Sequence, residues 1–206
     1  LSTEGGMVWI KYRKTGLGSA DHAMFDTARG VNNVIVPNDD PAQNNLDEGV
    51  EAFNTTGFDI GNYNSESGQC NYDAANYVGW TFRKAPGFFD VVTWTGDNVA
   101  GRTVAHNLES VPGCILVKSD SNAENWRVFH TSLGATKALS LNSNSDASTS
   151  ALYWNDTAPT STEFSVGAYD GVNGSGKTYV AYLFAHDAQE FGAGADESII
   201  QCGGYS

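Results

Sequence analysis

Tyr179-Val180-Ala181-Tyr182-Leu183-Phe184 is a run of six apolar and aromatic residues, closed by His186-Asp187 on one side and by Gly174-Ser175-Gly176-Lys177 on the other. That length and composition describe a buried strand between turns. An earlier segment, Tyr77-Val78-Gly79-Trp80-Thr81-Phe82, matches it position by position. Other matches follow in the same chain order. Gly6-Met7-Val8-Trp9-Ile10-Lys11 aligns with Gly113-Cys114-Ile115-Leu116-Val117-Lys118, and Phe25-Asp26-Thr27-Ala28-Arg29-Gly30 with Phe129-His130-Thr131-Ser132-Leu133-Gly134. Val34 and Val36 align with Leu139 and Leu141, and Thr56-Gly57-Phe58-Asp59-Ile60-Gly61 with Thr162-Glu163-Phe164-Ser165-Val166-Gly167. The offset drifts between 102 and 107 residues, as loop insertions would produce. Five ordered blocks predict a tandem duplication of a unit of about a hundred residues.

Outward from these blocks the chain stays strand-like. Short apolar segments such as Phe88-Phe89-Asp90-Val91-Val92-Thr93-Trp94 are bounded by Gly, Asn, Asp, Ser and Pro, and the prolines Pro37, Pro41, Pro86, Pro112 and Pro159 all fall between segments. The pattern predicts an all-β, antiparallel fold, with one helical turn over residues 43–52. Trp9, Trp80 and Trp94 lie inside strand patterns and are expected in the core. A third, partial copy sets Phe88 to Thr95 against Ile199 to Ser206, with Trp94 against Tyr205. The organisation expected is a first unit over 1–87 that lacks its opening strand, a complete unit over 88–197, and a surplus strand over 198–206. That surplus strand, with Ile199, Ile200, Cys202 and Tyr205, is expected to pair with the first unit's sheet or with an adjacent subunit, because an unpaired apolar strand invites aggregation.

Composition narrows the function. The chain of 206 residues carries 24 acidic and 11 basic residues, a net charge of -13, with no cluster of Lys or Arg. This excludes nucleic acid as a partner, since phosphate neutralisation requires clustered cations. No apolar run is long enough for a membrane helix, so membrane insertion is not expected. The chain begins at Leu1, and processing or selection of a fragment is expected. The three cysteines, Cys70, Cys114 and Cys202, form no paired motif, and neither a disulfide nor a zinc site is expected.

Four phrases carry a family resemblance: Gly101-Arg102-Thr103-Val104-Ala105-His106-Asn107-Leu108, Phe129 to Lys137, Thr157-Ala158-Pro159-Thr160-Ser161-Thr162, and Tyr179 to Asp187. The chain resembles a family of repeated domains of uncharacterised function in tail-fibre and other virion proteins of tailed bacteriophages, many of them marine. The likeness covers nearly the whole chain and is strongest from Phe88 onward. It implies a virion-associated, extracellular structural or host-attachment role, with other copies or other virion proteins as partners. It also implies a β-sandwich similar to the concanavalin-A-like or laminin-G-like jelly rolls. It carries no catalytic motif, and no catalytic residue is assigned.

A retaining glycosidase requires two carboxylates about 5 Å apart. Glu48 and Glu51, the closest pair in sequence, sit in the expected helical turn and read as a solvated face. His22, His106, His130 and His186 are scattered, and Asp26 takes the place of His130 in the first unit, so a catalytic dyad in one copy alone is not expected. Gly171, Gly176, Lys177 and Thr178 have the spacing of a phosphate loop, but a strand pattern follows where the mechanism needs a helix. Asn38-Asp39-Asp40, Asn142 to Asp146 and Asp170 to Asn173 supply clustered oxygens, which leaves Ca²⁺ possible although no EF-hand spacing occurs. Aromatics beside turns offer rigid apolar faces for sugars. Tyr153 and Trp154 beside Asn155-Asp156, and Tyr169 beside Asp170, are the ligand-binding candidates. The reading is a non-enzymatic structural and attachment protein, with a lectin-like module binding host-surface glycans as the alternative and a polysaccharide-degrading enzyme third.

Overall fold

The computed structural model describes residues 1–13, 20–47, 49–61, 70–72, 75–188 and 191–204. The first half contributes β1 (Gly6–Tyr12), β2 (Ala23–Asp26), β3 (Gly30–Ile35), β4 (Asn44–Asn45), β5 (Val50–Phe53), β6 (Phe58–Ile60) and β7 (Tyr77–Arg83). The second contributes β8 (Phe89–Thr95), β9 (Arg102–Ala105), β10 (Pro112–Ser119), β11 (Arg127–His130), β12 (Lys137–Ala138) and β13 (Ser148–Thr149). The helical turn α1 (Ala151–Trp154), β14 (Glu163–Val166), the helical turn α2 (Asp170–Asn173) and β15 (Thr178–Ala185) complete it. The strand pairings are antiparallel.

Two sheets carry the architecture, one ordered β4-β3-β2-β1-β7 and the other β11-β10-β15-β8. Strand alternation gives each sheet two faces, and both faces are used. Met7, Met24 and Ile35 of the first sheet pack against Phe89, Val91, Leu116, Val128, Val180 and Tyr182 of the second. The outer face of the first sheet, with Val8, Ile10, Ala23 and Phe25, is covered by Val50, Phe53, Phe58 and Ile60 of the β5–β6 ribbon. The outer face of the second, with Ile115, Val117, Phe129 and Ala181, is covered by Val104, Phe164 and Val166 of the β9–β14 ribbon. The result is a β-sandwich of two central sheets, each with a smaller outer ribbon.

The ladders repeat between the halves. Met7, Val8, Trp9 and Ile10 pair with Phe82, Thr81, Trp80 and Gly79. Cys114, Ile115, Leu116 and Val117 pair with Phe184, Leu183, Tyr182 and Ala181. On the other flank Val8 faces Phe25 as Ile115 faces Phe129. Met24 pairs with Ile35, and Val128 bridges to Leu139, which the sequence aligns with Val34, so this flank is shifted by one residue between the halves. The outer ribbons differ, since β6 takes β5 as partner whereas β14 takes β9, from before β10.

Residues 43–52 depart from the helical turn expected of them. Asn44 and Asn45 pair with β3, and Val50, Ala52 and Phe53 pair with β6. Gly49 lies where a Cβ would stand 2.7 Å from the Phe25 ring, so this segment is pressed onto the first sheet and not wound into a helix. Glu48 lies outside the described residues.

The two halves are locked by a polar contact as well as by apolar packing. The buried Asp26 carboxylate accepts from Arg29 Nε at 2.6 Å and from Tyr182 Oη at 2.6 Å, and Arg29 Nη2 reaches Tyr182 Oη at 3.2 Å. Burial disfavours the Arg29 charge, but Tyr182 and Asp26 outweigh it and hold its pKa above the usual guanidinium value.

Candidate functional site

The sequence candidates cluster only in part. α1 starts at Ser150, whose hydroxyl caps Leu152 N, and stops at Asn155 in the left-handed region at φ 53°. This turn presents Tyr153 and buries Trp154. Trp154 is 2% exposed, its indole N–H donates to Lys137 O at 3.0 Å, and its ring meets Phe129 edge-on at 6.1 Å. It is therefore a core residue and offers no face to a ligand, which corrects its place among the ligand-binding candidates.

Tyr153 and Tyr169 do come together, with ring centroids 5.3 Å apart. What joins them is Arg127, whose guanidinium lies 5.2 Å from one ring and 5.0 Å from the other. Arg127 also donates to Ser140 Oγ at 2.8 Å and to Tyr169 Oη at 2.9 Å. A cation between two aromatic faces is a stable arrangement in itself, and it occupies faces that a sugar would need. Asp170 is exposed, and its carboxylate holds Lys177 Nζ at 2.9 Å. Lys177 is the cation a phosphate loop would use. In the same turn, Gly174 N donates to Tyr179 Oη at 2.7 Å, and that hydroxyl donates to Asp170 O. The loop closes on itself and leads into β15.

The oxygen-rich turns are similarly engaged. Asn38 Oδ1 accepts from His22 N, and Asn142 Oδ1 accepts from Trp126 N. Buried Asn173 exchanges bonds with Asp97 N, Asp97 Oδ1 and Val99 O. Among the described residues no three His, Cys, Asp or Glu side chains converge as a metal group would require. Each of the four imidazoles accepts through Nδ1: His22 from Trp9 Nε1, His106 from Leu108 N, His130 from Ser132 N and His186 from Cys202 N. Burial pushes the Cys70 and Cys114 thiols up to about 12, which keeps them protonated at neutral pH.

Among the surface hollows of the described residues is a cleft of about 390 Å³ where Arg29 and Gln43 face Thr93, Trp94, Asp120 and Thr178. Its polar groups are committed, Arg29 to Asp26 and Gln43, and Asp120 to the Thr178 hydroxyl. Another is an apolar hollow of about 220 Å³ lined by Trp9, His22, Trp80 and Phe82. Trp80 is 44% exposed, contrary to the core position its strand pattern suggested, and stands edge-on to Trp9 at 6.0 Å. Trp9 Nε1 donates to His22 Nδ1 at 2.9 Å, which fixes the imidazole against the indole. Burial, then Lys11, holds the His22 pKa below its ordinary value.

The exposure of Trp80 has a topological cause. Its counterpart in the ladder, Tyr182, is fully buried because β15 runs between β10 and β8. Among the described residues β7 lies at the edge of its sheet, so Trp80 extends beyond the cover of the second sheet, whereas Phe82 is half-buried against Phe89 and Phe184. In the sequence, the partial match of residues 199–206 to 88–95 is the signal that bears on this edge.

No curated protein and no solved structure gives a significant match to this chain. Residues 1–194 match one family, described as a domain of unknown function (DUF7483), and both sheets and the aromatic hollow fall within the match. The chain belongs to that family, the domain of unknown function DUF7483.

Proposed function

We propose that this protein is a non-enzymatic structural module of a phage virion, a tail-fibre or capsid-decoration domain that serves assembly and attachment to the host surface. The observation that carries the reading is the aromatic edge of β7, where Trp80 stands exposed beside half-buried Phe82 on a strand that pairs, among the described residues, on one flank only. An apolar patch rimmed by polar residues marks a contact surface. The polar groups of the cleft and turns, by contrast, are spent on internal bonds. The equal registers of the two ladders support a tandem duplication of the unit, with jelly-roll ancestry as the resemblance implies. The acidic surface suits an extracellular particle that works without nucleic acid.

Virions purified from lysates of the source would test the placement directly. Tryptic peptides of this chain should copurify with particles, and antibodies to it should decorate one fixed location in electron micrographs. Peptides found only in the soluble fraction would sink the virion reading.

A lectin-like role is the second reading, and the Trp9–Trp80 hollow favours it, since indole faces beside an imidazole suit the apolar face of a sugar ring. A glycan array read with wild type and Trp80→Ala, with and without Ca²⁺, tests it. Binding lost in the variant supports the lectin role; no binding in either condition removes it.

A further inference from the structure

The two central sheets share a register but differ at one flank. β15 has a strand on both sides, β10 and β8. β7, at the equivalent place, has β1 on one side and, among the described residues, no strand on the other. Burial follows: every residue of β15 except Thr178 and Phe184 is buried, and no residue of β7 is. The stretch from Val78 to Phe82, which carries Trp80, is a template for pairing unless something covers it.

The chain contains a template for that cover. On β15 it is β8, with Phe89 opposite Phe184, Val91 opposite Tyr182 and Thr93 opposite Val180. Ile199-Ile200-Gln201-Cys202 aligns with Phe88-Phe89-Asp90-Val91 in its pattern of apolar and polar residues, and it also leaves its own half in the same way. Asp187 N donates to Ile200 O at 3.0 Å, as Ala85 N donates to Phe89 O at 3.0 Å. One residue earlier in each half, a side chain reaches the departing backbone: His186 Nδ1 accepts from Cys202 N, as Lys84 Nζ donates to Val91 O. From there the two segments diverge. β8 crosses to the other sheet, whereas residues 201–204 join no strand among the described residues. Pairing with the first unit's sheet, one of the two outcomes expected of this segment, is not formed among the described residues. Ile200 packs on the outer core of the second sheet, on the face turned away from the first, and Ile199 is exposed. Tyr205 lies outside the described residues.

We propose that the outer flank of β7 from Val78 to Phe82, which no described strand pairs, receives residues 199–204 of a second copy of this chain, in the register that β8 uses on β15. Ile200 then stands opposite Phe82, Cys202 opposite Trp80 and Gly204 opposite Val78. Main-chain bonds supply the affinity of such strand addition, and alternate side chains supply its specificity. Ile200 and Cys202 fall on the face of Trp80 and Phe82 and extend its apolar cover. Gln201 stands opposite Thr81 on the other face. Each copy carries one donor and one acceptor, so the pairing is either reciprocal, giving a closed dimer, or serial, giving longer chains. The inference rests on the duplicated-unit reading and is separate from the placement in a virion.

Two full-length variants in a Cys202→Ser background test it, one with Thr81→Cys and the other with Gln201→Cys; both positions are exposed, so folding is not at risk. Mixed and oxidised at high concentration, they should form a disulfide-linked heterodimer whose linked peptides contain positions 81 and 201. Gln201→Pro, which removes an exposed amide donor, should weaken the self-association of the otherwise native chain at least tenfold by light scattering. No heterodimer in the mixture would overturn the proposal, as would a Thr81→Cys/Gln201→Cys chain that closes only on itself. A linked heterodimer with no chain in purified particles would leave this inference standing and sink the virion reading; the converse result would do the reverse.

Discussion

Replacing Asp26 by Ala should destabilise the protein by about 3–5 kcal/mol, the cost of removing one partner from a buried ion pair. The magnitude follows from what the carboxylate holds. Asp26 is fully buried and accepts four bonds: from Ala28 N at 3.0 Å, Arg29 N at 2.9 Å, Arg29 Nε at 2.6 Å and Tyr182 Oη at 2.6 Å. Its loss leaves the Arg29 guanidinium, 3% exposed, with neutral acceptors only, at Gln43 Oε1, Met24 O and Tyr182 Oη. Tyr182→Phe removes the hydroxyl's donation to Asp26 and its acceptance from Arg29 Nη2 but leaves the ion pair, and should cost less, about 1.5–3 kcal/mol. The two residues lie on different sheets, so the double variant should fall short of additivity by at least about 0.5 kcal/mol. Equilibrium urea unfolding followed by tryptophan fluorescence measures all three, since the Trp126 ring stacks on Tyr182 at 6.2 Å. An Asp26→Ala cost below about 1 kcal/mol, or strict additivity with Tyr182→Phe, would refute the claim that this network locks the sheets together.

The remaining predictions concern tryptophan positions and titration. Trp154→Ala should cost about 3–5 kcal/mol in urea unfolding, as for a fully buried aromatic, and Trp80→Ala under about 1 kcal/mol, because its ring is half in solvent. For His22 and His106 burial leads in lowering the pKa from 6.5, so the unfolded chain binds protons that the folded chain refuses. Stability should therefore decline as pH falls from 6.5 toward 5, and His22→Gln should flatten part of that slope in thermal melts. Buried Lys118 donates to Ser119 O and Asn122 O, and burial pulls its pKa from 10.5 to about 8 against the opposing influence of Asp40, Glu124 and Asp120. Relative to Lys118→Met, wild type should gain stability between pH 8 and 10.5, where the unfolded chain holds more protons; a flat difference would refute the assignment.

The strands and the all-β class were legible because short apolar segments bounded by turn residues recur along the chain. That residues 6–11 pair with 77–82, and 113–118 with 179–184, was not, since an apolar run names no partner; the structure shows the aligned segments in equal registers. Residues 43–52 were misread for a similar reason: Asn44 and Asn45 form a two-residue strand whose pairing depends on β3, and no local period announces that. The candidate site was less legible. Tyr153 and Tyr169 stand out as aromatics beside turns, but Arg127, which binds them to each other, sits two residues before Phe129 in an apolar stretch and gives no signal of its own. Trp80 and Tyr182 occupy equivalent positions in nearly the same local sequence, yet one is exposed and the other fully buried. Local pattern assigns a residue to a face of a strand; whether that face is covered is decided by which strand lies next to it.

That distinction bears on why this chain should associate at all. Its net charge of -13 opposes self-association over distances of about a Debye length, roughly 8 Å at physiological salt. A nonspecific apolar contact would compete poorly with that repulsion, and a ladder of main-chain bonds with fixed register competes better because its donors and acceptors meet at contact distance. The outer flank of β7 runs into Arg83 and Lys84, two of the 11 basic residues, whereas residues 199–204 carry no charged side chain. The donor segment thus adds no like charge at the seam. Added salt should therefore strengthen the association by screening the bulk of each copy while leaving the seam itself unaffected, the opposite of what an interface built on ion pairs would show.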